Sequence, residues 1–183
     1  MDTLLAAARS TRTLCDRNSG KLGHFIQAIV APESTARRLI DRWPELCACT
    51  YNGKHILFPV DAELIDAKIT PDTTPQESDE TFMLLTVGLQ RLLTEISENG
   101  ILAYIETEYF GGQGGQGAMV IRDGQEIMPP EWSESDTINK ALRLLGLESS
   151  NAEDEFLMLG LGMGRNNEDL LDQLTPWKPK TIA

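Results

Sequence analysis

The chain has 183 residues, 41% apolar and 24% charged, and its 28 acidic and 16 basic side chains give a formal net charge of -12. That length suits one domain with at most an appended segment, and the apolar fraction is enough for a buried core, so the chain need not be disordered. The charge is uneven: residues 1–60 hold 8 Lys/Arg and 5 Asp/Glu, a net of +3, whereas residues 61–183 hold 8 and 23, a net of -15. Such a surface repels nucleic acid and anionic membranes and attracts a basic partner.

Residues 1–22 read as a leader, apolar over residues 4–8 but without the basic region that precedes the apolar run of a secretory signal. Residues 23–183 form the expected domain. No run approaches about 18 apolar residues, so no membrane span is expected. The first strand, residues 24–30, is apolar at nearly every position, as in the middle of a sheet. Ser34 caps a helix over residues 35–42, which Pro44 stops. Strands 46–51 and 54–59 flank Asn52-Gly53, a hairpin signal because both residues tolerate positive φ. Asp61 caps helix 62–68. The Pro-, Thr- and acid-rich segment 70–80 reads as a solvated loop. A long helix over 80–98 follows, with Asp79 as its cap and Phe82, Leu85, Leu89, Leu92, Leu93 and Ile96 as its stripe. Strand 101–110, a glycine-rich loop 111–117, strand 118–122, an Asp123-Gly124 turn and strand 125–128 come next, and Pro129-Pro130 ends that strand. Ser133 or Ser135 caps helix 136–146, and a last helix spans 167–174. Hairpins outnumber crossovers, so the expected fold is a single α+β domain with a largely antiparallel sheet and helices packed on it.

Three cysteines without metal-ligand spacing point to a reducing, cytoplasmic compartment. Cys47 and Cys49 share a strand face and read as buried thiols. A bridge over one residue would be strained, and a metal pair has only His55 as a further nearby candidate. His24 and His55, the only histidines, have no spacing that suggests a catalytic set. Asp154 and Glu155 read as solvated, and Trp43, Trp132 and Trp177 as packing residues. No Walker A pattern or dinucleotide fingerprint stands in its required context, in the loop 111–117 or in the Gly160-to-Arg165 run. No cofactor or metal is expected.

The unusual segment is 101–117, ILAYIETEYFGGQGGQG. Alternate residues of a strand share a face, so Tyr104, Glu106, Glu108 and Phe110 lie together, with the two carboxylates roughly 7 Å apart. That separation suits an acid/base pair in a small hydrolase or a hard-cation site. It equally suits a solvated acidic face, or contact with a basic partner through carboxylates and aromatics. The five-glycine loop reads as a mobile hairpin connection that lets a partner approach the backbone. The candidate partner-binding residues are therefore Tyr104, Glu106, Glu108, Phe110, Gly112, Gln113, Gly115 and Gln116.

The run AYIETEYFGGQGGQGAMVIRDG (103–124), followed by INKALRLLG (138–146) and DEFLMLGLG (154–162), resembles a family of small bacterial proteins. That family has the pattern A-Y-[IV]-E-x-E-[YF]-F-G-G-x-G-x-Q, a strand, a helix I-N-x-A-L-R-x-L-G, and D-E-F-x-x-L-G-L-G. The resemblance covers residues 24–172 and is most specific over 103–146. The leader lies outside it, and the last helix departs from the family's short aromatic ending. Such proteins are similar to the cytoplasmic immunity proteins of bacterial toxin systems, including contact-dependent growth inhibition. The resemblance implies a non-enzymatic inhibitor whose partner is a cognate basic toxin domain, often a nuclease. An acidic inhibitor gains on-rate by steering toward such a toxin and mimics the phosphates it expects. A metal-dependent or hydrolytic enzyme using Glu106 and Glu108, and a ligand-binding or scaffold domain, are the alternatives.

Overall fold

Seven strands form one sheet in the computed structural model, which describes residues 23–69, 82–149 and 154–179. They are β1 (Gly23–Pro32), β2 (Cys49–Thr50), β3 (His55–Pro59), β4 (Ile101–Phe110), β5 (Gln113–Arg122), β6 (Gln125–Ser133) and β7 (Thr175–Pro176). Their order is β6-β5-β4-β1-β3-β2-β7, and every ladder is antiparallel. The helices are α1 (Glu33–Arg42), α2 (Ala62–Lys68), α3 (Val87–Ile96), α4 (Thr137–Leu144), α5 (Glu155–Met158) and α6 (Asn167–Gln173), with a short 3-10 turn at Leu161–Met163. The fold is α+β with an antiparallel sheet, as expected. Among the described residues no helix is long and apolar enough to cross a membrane.

Helices cover both faces, which explains why the central strands are apolar at successive positions. Leu102 and Tyr104 of β4 pack with Ala36 and Leu39 of α1, Ile65 of α2 and Leu89 of α3. Ala103 and Ile105, one residue out of phase, pack with Ile138 and Leu142 of α4 and Leu170 of α6. The sheet therefore has no solvated acidic side along its centre, contrary to that reading of the sequence. Beyond the end of β3, the free edge of β1 is closed by the C-terminal part of the chain. Phe25 N–H donates to Arg165 O at 2.7 Å, and Gln27 N–H donates to Asn167 Oδ1 at 3.0 Å.

Several boundaries move for local reasons. Helix α2 and its Asp61 cap stand as expected, with Leu64 N–H donating to Asp61 Oδ1 at 2.8 Å. Helix α3 begins at Val87 with Thr86 as its cap, not at residue 80. The amides of Met83, Leu84 and Leu85 bind a carboxylate instead of entering a helix. Asp79 and the loop 70–80 lie outside the described residues. Residues 51–54 form a bend longer than a two-residue turn, held by Asn52 Oδ1, which accepts from the amides of Lys54 and His55. Strand β6 runs through Pro129-Pro130 because it is an edge strand with a register shift opposite, so a missing N–H is tolerated there. Helix α4 starts at Thr137. Its Ile138 N–H donates to Gln116 Oε1 at 3.0 Å, a cap supplied by β5 rather than by Ser133 or Ser135.

The largest correction concerns the glycine-rich loop. Only Gly111-Gly112 is a turn, both at positive φ (61° and 83°), and Gln113 onward is strand paired with β4 over ten residues. Gly115 and Gly117 face the α3 side, where Trp132 lies across them. A Cβ on Gly117 would sit 2.5 Å from both Phe82 Cε1 and Trp132 Cε3. The glycines let Phe82 and Trp132 lie close on the strand, ring centroids 5.5 Å apart and nearly perpendicular. Gly117→Val should destabilise the fold by about 1–3 kcal/mol through overpacking. Gln113→Ala on the exposed end of β5 should stay within about 0.5 kcal/mol. Urea unfolding of the two variants measures both.

Candidate functional site

The predicted site residues lie on β4, the Gly111-Gly112 turn and β5, and the structure divides them. Tyr104 and Glu106 are fully buried, so neither presents a surface to a partner; the helical side of the sheet covers them. Glu106 Oε2 accepts from Met83 N–H at 2.7 Å. Its Oε1 accepts from Leu84 N–H at 2.9 Å, Leu85 N–H at 3.1 Å and the Tyr104 hydroxyl at 2.8 Å. Three successive amides around one carboxylate make an anion-binding nest, here filled from within the chain. Burial, reinforced by the Glu106 charge, holds the Tyr104 phenol well above its usual range, so it remains a donor.

The rest of the set separates at residue 108. Glu108, Phe110, Gly112 and Gln113 are exposed, Phe110 at 62%. Gly115 is buried beneath Trp132. Gln116 is half-buried, and its carboxamide both caps α4 and donates to the Tyr109 hydroxyl at 3.1 Å. The reachable part is thus the end of the β4–β5 ribbon. Glu108 and Phe110 point to the α3 side, Gly111-Gly112 stands in open space, and half-exposed Met83 lies beside Glu106. The ribbon is a paired ladder to its tip, not a mobile loop. The sequence did carry a signal for the burial of Glu106: Gly117, directly across the ladder from it, lacks the side chain that would keep Phe82 away.

Glu106 and Glu108 do not form an open acid/base pair, because Glu106 is fully buried and both its oxygens accept hydrogen bonds from within the chain. Among the described residues no group of three or more His, Cys, Asp or Glu is placed to hold a metal ion. Cys49 is buried, with its thiol pushed up to about 12 by desolvation and then by Cys47. Cys47, expected to be buried, is exposed, since it precedes the short strand β2 rather than lying in it. Glu155, expected to be solvated, is buried and paired with Arg143 at 3.1 Å, while Asp154 is exposed and caps α5.

Both histidines are structural. His24 Nδ1 meets Thr107 Oγ1 at 2.9 Å and its Nε2 lies 3.4 Å from Leu161 O. His55 Nε2 lies 3.3 Å from Leu145 O, and its buried Nδ1 has no partner. Desolvation lowers both below their ordinary 6.5. No family model, curated protein or solved structure matches the chain.

Glu106→Gln places an NH2 against the amide nest and should cost about 3 kcal/mol. Glu108→Gln should change stability by less than about 0.5 kcal/mol; chemical denaturation separates them. A histidine with a lowered folded-state value binds its proton more readily when unfolded. Its contribution is therefore present above pH 6.5 and is lost as pH falls below 6.5 toward the folded-state value. Unfolding midpoints measured from pH 7 to 5 should fall, and His55→Gln, which takes no proton, should show the shallower fall.

Proposed function

We propose that this chain is a cytoplasmic immunity protein that binds and neutralises a cognate basic toxin domain. The observation that carries the reading is the end of the β4–β5 ribbon, a rigid tip that exposes an aromatic ring and a carboxylate together. Ordered beforehand by ten ladder pairs, it loses little freedom on docking. Phe110 supplies an apolar anchor of the kind that dominates interfaces, and Glu108 supplies a charge complementary to a basic surface. The net of -15 over residues 61–183 adds long-range steering. The resemblance over residues 103–146 points the same way. Reading the chain as a hydrolase needs Glu106 as a free carboxyl, and its four hydrogen bonds argue against that.

The test begins with the neighbouring gene, where this reading expects a toxin domain, and uses that domain as the partner. Association should be nanomolar or tighter and should weaken as salt rises. Phe110→Ala should weaken it by roughly 30-fold, the effect of losing an interface hot spot. Glu108→Lys should slow association and flatten the salt dependence. Toxin-induced killing that is the same with and without this protein would sink the reading.

A further inference from the structure

At the β7 edge of the sheet, away from the ribbon tip, a cavity of about 470 Å³ opens where β2 meets β7. Its walls are apolar: Ile40 of α1, Leu46 before β2, Leu171 of α6, and Pro176 and Trp177 at the end of β7. Trp177 is fixed as a wall, because its N–H donates to Ala48 O at 2.8 Å and its ring meets Phe58 edge-on with centroids 6.3 Å apart. Among the described residues that line the cavity, Lys178 is the only charged one. A lone basic residue lining an apolar cavity is distinctive on a chain of net charge -12. The volume falls in the range of small-molecule sites, which combine apolar walls with a few orienting polar groups.

We propose that this cavity binds an amphipathic monocarboxylate, its hydrocarbon tail against Ile40, Leu46, Leu171 and Trp177 and its carboxylate at Lys178. The tail supplies the affinity and the ammonium selects the anion. The cavity is separate from the ribbon tip, so this binding does not depend on the immunity reading. Cys47 lines the same cavity, is exposed, and reports occupancy through alkylation.

The test is titration of the full-length protein with hexanoate, octanoate and octanol by calorimetry. In parallel, iodoacetamide labelling is read at the Cys47 peptide by mass spectrometry. Octanoate should bind and slow labelling at Cys47. Each methylene gained from hexanoate to octanoate should tighten binding about fourfold. Lys178→Gln should weaken octanoate by about two- to fivefold, as expected for a surface ion pair, and leave octanol unchanged. Cys47→Phe, at an exposed position, should fill the cavity and abolish binding while the protein stays folded. Absence of octanoate binding, hexanoate binding as tightly as octanoate, unprotected Cys47, or Lys178→Gln binding octanoate as tightly as the parent would each overturn the proposal.

Discussion

The Glu106 carboxylate organises one whole side of this molecule. It lies in the sheet with no exposure and is bound by three successive amides and a phenol. A buried charge is tolerable only when hydrogen bonds replace its lost hydration, and four do so here. The same bonds occupy the amides just ahead of α3, which begins at Val87 under its Thr86 cap. They also bring Phe82 onto Trp132, and that aromatic pair needs the bare backbone of Gly117. Carboxylate, helix start, aromatic cover and glycine strand form one dependent set.

That dependence explains why part of the chain was readable one segment at a time and part was not. Strand 101–110 and helix 62–68 emerged at their observed limits, because apolar patterning and an Asp cap are local signals. The Asp123-Gly124 turn did too, with both residues at positive φ. The glycine-rich stretch reads as a loop in the sequence and folds as a strand because glycine has two uses. In a turn it admits positive φ; in a strand it makes room for a neighbouring ring, and only the partner strand tells which applies. The Pro129-Pro130 pair misled for a related reason, since a proline stops a central strand but not an outer one.

The candidate site was legible in its location and not in its depth. Alternation placed Tyr104, Glu106, Glu108 and Phe110 on one face correctly, but alternation carries no information about how far along a strand its cover extends. The cover ends between 106 and 108, so two chemically identical acids two residues apart take different roles, one holding the fold and one facing outward. The buried Glu155 repeats the point: its partner Arg143 is twelve residues away, on another helix.

The closure of β1 by residues 165–167 has a consequence for how the chain matures during synthesis. The partner of Gln27 is 140 positions further along, so the first strand emerges from the ribosome long before its edge can be satisfied. Until then an apolar strand with unpaired amides is open to pairing with other chains. Contacts of such long sequence separation also form slowly. The edge of β1 thus stays unsatisfied until residues 165–167 have been made.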